Sequence, residues 1–71
     1  MLTPEEESEF VKELGKVLDR SYRIRYILVT TQPMIGSSFS NAFEFLKEQP
    51  ELLGKIKISE DLRNKILLLM I

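Results

Sequence analysis

The side chains that carry most enzymatic chemistry are missing from this chain, which has no His and no Cys. That removes Ser–His–Asp and Cys–His nucleophilic sets, the commonest general acid–base group, and the thiolate and imidazole ligands of structural zinc. The acids that remain fall mainly where helices are expected to begin. Glu5, Glu6, Glu7 and Glu9 follow Thr3-Pro4, and Glu60 and Asp61 follow Ser59. Carboxylates there complement the positive end of a helix dipole rather than converge as a catalytic pair. The expectation is a protein that is not an enzyme, with no catalytic residue, metal site or cofactor.

Three stretches hold other chemistry. Met34-Ile35-Gly36-Ser37-Ser38-Phe39-Ser40 has one glycine, several hydroxyls and a following helix start, the loose outline of an anion cradle. A phosphate-binding Walker loop needs Gly-Lys before its Ser or Thr, and that pair is absent. A turn with helix-capping serines is the expected outcome.

The second stretch is basic and aromatic: Arg20, Tyr22, Arg23, Arg25 and Tyr26, with no acid between Arg20 and Thr31. Arginine interleaved with aromatic rings can bind phosphate and stack on bases. On a strand Arg23 and Arg25 share a face, which Lys55 and Lys57 would extend if their own strand lay alongside. Nucleic-acid binding is therefore the alternative function, in the manner of a small transcription regulator. A formal net charge of −1 weighs against it.

The third stretch is Ile66-Leu67-Leu68-Leu69-Met70-Ile71. A surface helix is apolar along one stripe only, whereas this one becomes apolar all round after Lys65. It must be covered on more than one side. The competing outcomes are a central core helix, or a face covered by another chain. The first-ranked expectation is a non-catalytic interaction or assembly module that self-associates through Ile66–Ile71. Either Leu67, Leu68 and Ile71, or Ile66, Leu69 and Met70, would face outward, and the other set would pack on Phe39, Phe43 and Leu46.

The elements that must position these groups follow from local pattern. Thr3-Pro4-Glu5-Glu6 has the form of a capping box with proline in the first helical position. Phe10, Val11, Leu14, Val17 and Leu18 then repeat at helical spacing, which predicts a helix over 4–19. Gly15 within it marks either a close backbone approach or a weak spot. Over 22–31, Tyr22, Ile24, Tyr26 and Leu28 alternate with their neighbours among aromatic and β-branched residues, which predicts a strand ended by Gln32-Pro33. After a loop at 34–38, a helix is expected from Ser38 or Ser40 to about residue 49, where Pro50 stops it. Pro50-Glu51-Leu52-Leu53 adds a turn closed by Gly54 at a left-handed position. Lys55-Ile56-Lys57-Ile58 alternates as a short strand, and Ser59 caps a last helix with Leu62, Ile66, Leu69 and Met70 on one face.

The order helix–strand–helix–strand–helix predicts a small α+β domain, with the strands at 22–31 and 55–58 joined by a right-handed crossover. The alternative is an all-α bundle in which 22–31 is helical. The stretch from Lys55 to Ile66 also resembles the opening of ribbon-helix-helix repressors, an alternating strand followed by a capped helix. The resemblance covers about a dozen residues, and the family's second helix has no counterpart after Ile71.

With 71 residues the chain makes one domain, and a domain of this length buries only about 60% of its unfolded surface. Disulfides and zinc being closed to it, a second chain is the expected supplement. A hydrophobic fraction of 44% with 30% charged residues is globular composition. Met1-Leu2-Thr3-Pro4 runs straight into acids, so no leader is expected, and six apolar residues cannot span a bilayer. The expected setting is cytoplasmic, with itself or another protein as partner, nucleic acid as the lesser possibility, and no membrane.

Overall fold

The computed structural model describes residues 2–32 and 36–71, and they form helices only. In chain order these are α1 (Pro4–Val17), α2 (Arg20–Thr31), α3 (Ser38–Glu48), a short 3-10 helix (Pro50–Gly54) and α4 (Glu60–Met70). The α+β expectation is overturned, and the all-α alternative describes the molecule. The resemblance to ribbon-helix-helix repressors lapses with it, since 55–58 is not a strand.

α1 begins as its residue types require. The Thr3 hydroxyl accepts the Glu6 amide proton at 3.1 Å, and the Glu6 carboxylate accepts the Thr3 amide proton at 2.9 Å. Phe10 and Leu14 point into the core, with Leu18 just past the helix end. The helix ends two residues before the expected boundary, and Asp19 opens α2 directly.

α2 replaces the expected strand at 22–31. Tyr26 and Thr30, four residues apart, are its buried positions, and Val29 packs beside them. The Tyr26 ring meets Phe45 edge-on at 5.1 Å, and its hydroxyl donates to the Val11 carbonyl at 2.5 Å. Burial of that one ring in helical register outweighs the strand preference of Ile, Val and Thr, which amounts to tenths of a kcal/mol per residue. Thr30 and Thr31 send their hydroxyls back to the carbonyls of Tyr26 (2.7 Å) and Ile27 (2.6 Å), the usual way a helix absorbs threonine.

α3 is capped by Ser37, one residue before the earlier of the two serines expected, and the Ser37 hydroxyl accepts the Ser40 amide proton at 3.1 Å. Gly36 just ahead of it has φ of 77°, a left-handed turn that favours glycine. Met34 and Ile35 of the loop expected at 34–38 lie outside the described residues, as does Pro33. The turn after Pro50 is present, but Gly54 is not left-handed, and Ile56 N–H closes it onto the Leu52 carbonyl at 3.2 Å. Between Lys55 and Ile58 the alternation is real as a facing pattern: Ile56 is buried and Lys55 and Lys57 are exposed. It pairs with no neighbouring strand, so it makes no sheet.

The core gathers Phe10, Leu14, Tyr26, Ala42, Phe45 and Leu46 from α1–α3, Leu52, Leu53 and Ile56 from the 3-10 segment and its exit, and Leu62 and Ile66 from α4. Phe39 packs against it, 5.5 Å from Phe10 and 5.8 Å from Phe43. The ends of α1, α2 and the 3-10 helix, whose last carbonyls lack intrahelical partners, are closed by side chains of the following helix. Arg23 donates to the carbonyls of Leu18 (3.0 Å) and Lys16 (3.4 Å) behind α1. Asn41 and Ser38 donate to Val29 (2.9 Å) and Thr30 (2.5 Å) behind α2. Arg63 donates to the Leu53 carbonyl and, at 2.9 Å, to that of Ile56. Among the described residues no buried side-chain nitrogen or oxygen is left without a partner.

Candidate functional site: two uncovered apolar helix faces

The structure separates the six residues of the C-terminal run. Ile66 is completely buried in the chain's own core, with Leu62 one turn before it and Met70, half-buried, one turn after. Leu67, Leu68, Leu69 and Ile71 are exposed, Leu68 at 71%. Of the two sets the pattern offered, Leu67, Leu68 and Ile71 form the outward one. Ile66 belongs to the same core as Leu46, with Phe39 and Phe43 packed against it, and Leu69 is left half-uncovered at the edge. The helix is held by Ser59, whose hydroxyl accepts the Leu62 amide proton at 3.2 Å, and by Lys65, which donates to Glu6 at 2.8 Å. Glu6 thus serves the α1 cap with one carboxylate oxygen and α4 with the other. The hydrogen bonds from Lys65 and from the Thr3 backbone hold its carboxyl below the usual value, and the same contact raises Lys65.

A second uncovered face was not anticipated. Ile24, Ile27 and Leu28 lie on the outer side of α2, all more than half exposed and Ile24 at 72%. The signal was present in the sequence as spacing: 24, 27, 28 and 31 lie on one helix face, while 22, 26, 29 and 30 make the other. Read as a strand, the same residues were divided between two sheet faces.

Of the basic-aromatic segment Tyr26 is buried, and the two arginines just before it in the helix make contacts within the fold from exposed positions. Arg23 caps α1, and Arg25 reaches Glu48 at 3.4 Å while lying 4.8 Å over the Phe45 ring and 5.7 Å over Tyr22. Tyr26 is 2% exposed, and burial pushes its phenol well above the usual range. Two residues apart on a helix, Arg23 and Arg25 point to different sides, so the shared strand face is not formed. Arg20, Arg23, Arg25, Lys55 and Lys57 are all exposed, with Tyr22 at the border of the α2 core face.

The serine-rich stretch also spends its hydroxyls internally, Ser37 on the α3 cap and Ser38 on the Thr30 carbonyl. A shallow groove beside it runs between Pro4, Ser8 and Val11 of α1 and Phe39 of α3. No described helix is long and apolar enough to cross a membrane. Among the described residues no group of three or more acids is placed to hold a metal ion.

The chain matches no protein-family model, and no curated protein or solved structure matches it.

Proposed function

We propose that the protein is a non-catalytic assembly module that self-associates through the outward side of α4, in a cytoplasmic setting. The observation that carries this is the exposure of Leu67, Leu68 and Ile71 at the end of a helix whose opposite side, Leu62 and Ile66, already fills the core. Burying a Leu or Ile side chain is worth roughly 1.5–3 kcal/mol, which is large beside the few kcal/mol a core of this size supplies. Exposed leucines scattered singly are ordinary, but three on one helix face form a patch of the kind that marks a contact between proteins. The burial of Tyr26, which takes that ring out of reach of a base, and the formal net charge of −1 favour this function over nucleic-acid binding.

The test is the mass of wild type and of the Leu67→Lys, Leu68→Lys variant by light scattering over a concentration series. Wild type is expected to run as a dimer or larger, and the variant as a folded monomer. A wild type that stays monomeric at high concentration, soluble and folded, overturns the proposal.

A further inference from the structure

The outer faces of α2 and α4 are built to the same plan with opposite charge. On α2 the face runs Arg20, Ile24, Ile27, Leu28, Thr31, and on α4 it runs Glu60, Asn64, Leu67, Leu68 and on to Ile71 at the C-cap. The spacing is identical, i, i+4, i+7, i+8, i+11, and all ten positions are exposed. In each helix the charge stands in the first turn and the apolar pair two turns on.

The N-terminus of α2 is also incomplete in one respect. Its Asp19 makes no side-chain capping bond, its first turn has no acid, and Arg20 stands at the positive end of the dipole. α4 has the reverse, a first turn with Glu60 and Asp61, both carboxylates pointing to solvent and held only by Arg63 and Lys65 of their own helix.

Resting on the self-association proposed above, we propose that the occupant of the α4 face is α2 of a second copy, packed parallel. That alignment sets Glu60 and Asp61 of one chain beside Arg20 and the uncapped α2 N-terminus of the other, and sets Leu67 and Leu68 against Ile27 and Leu28. Like-with-like pairing fails on charge. Parallel α2–α2 contact puts Arg20 on Arg20, parallel α4–α4 contact puts acids on acids, antiparallel α4–α4 contact puts Glu60 on Ile71, and antiparallel α2–α2 contact sets Arg20 beside Thr31 and gains no opposite charge. Both halves of the complementary pair lie on this chain, which is why the partner is a second copy and not another protein.

Two variants test the pairing. One carries Ile27→Lys and Leu28→Lys, the other Leu67→Asp and Leu68→Asp. Each alone is expected to be monomeric by sedimentation velocity. Mixed in equal amounts they are expected to recover a dimer or larger, because the intact α4 of the first meets the intact α2 of the second and the new Lys and Asp attract. If wild type associates and the α2 variant still associates alone, the pairing is wrong while self-association through α4 stands. If wild type is monomeric, both fall. If the mixture stays monomeric although each variant alone is helical by circular dichroism, the pairing is overturned. If either variant loses its helix signal alone, Gln replaces Lys and Asp at the same positions, and the mixture must again recover mass that neither variant shows alone.

Discussion

Tyr26 shows most directly what one side chain decides in this molecule. Its ring packs α2 against Phe45 of α3, and its hydroxyl ties α2 to the Val11 carbonyl of α1. Removing the hydroxyl in Tyr26→Phe leaves the ring packing and deletes one hydrogen bond, a loss of about 1 kcal/mol in urea unfolding at neutral pH. The pH dependence gives a sharper readout. Burial raises the phenol above its ordinary value of 10.0, so below pH 10 it is neutral in folded and unfolded chains alike and contributes no slope. Above pH 10 the unfolded chain releases the proton first, while the folded chain holds it. Stability therefore falls as pH rises past 10. Wild type is expected to show that alkaline loss, and the Phe variant to show less of it. Equal slopes for the two proteins between pH 9 and 11 would mean that the phenol is not buried in solution.

At the scale of elements, the Gly15 ambiguity is settled by the neighbouring helix. A Cβ at Gly15 would stand 3.0 Å from Cε2 of Tyr26 and 3.4 Å from its Cδ2. The ring cannot step aside easily, being fixed by Val11 at one end and Phe45 on its edge. Gly15→Ala is accordingly expected to destabilise the fold by up to about 2 kcal/mol, overpacking exceeding the roughly 1 kcal/mol gain in helix propensity. In a Tyr26→Leu background the same change is expected to be neutral or stabilising. Additive effects in that double-mutant cycle would show that the two helices do not approach at Gly15. The starts of α1 and α4 and the end of α3 were legible because the signals are local: Thr3 with Glu6, Ser59 before acids, and Pro50 as a stop act within four residues of themselves. The secondary structure of 22–31 was not. Its apolar residues satisfy period two and helical spacing at once, and only the position of Phe45, Val11 and Gly15 in three dimensions selects the helix. The candidate site inherited both outcomes. On α4 the capped helix was legible and left two candidate outward sets, between which only the packing of Ile66 in the core decides, whereas a strand over 22–31 divides Ile24 from Ile27 and hides the α2 face.

For the whole molecule, the consequence of two uncovered faces is that stability and association are linked. The folded chain fits within 28 × 22 × 20 Å, and its one core draws on every helix. That leaves no second core into which Leu67, Leu68 or Ile27 could turn. If a second copy covers them, it binds the folded chain and not the unfolded one, and mass action then raises the melting midpoint with concentration. At 100 times the dissociation constant the gain is about 2.7 kcal/mol, which in a domain of this length moves the midpoint by roughly 10–20 °C. Wild type is expected to show such a rise across a dilution series. The Leu67→Lys, Leu68→Lys variant is expected to melt at one midpoint throughout, equal to that of wild type at high dilution, because these two side chains project away from the chain's own core. A variant that is instead less stable than dilute wild type at every concentration would mean that Leu67 and Leu68 pack inside their own chain. The end of α4 would then be part of the core, and the exposure that distinguishes it from Ile66 would not hold in solution.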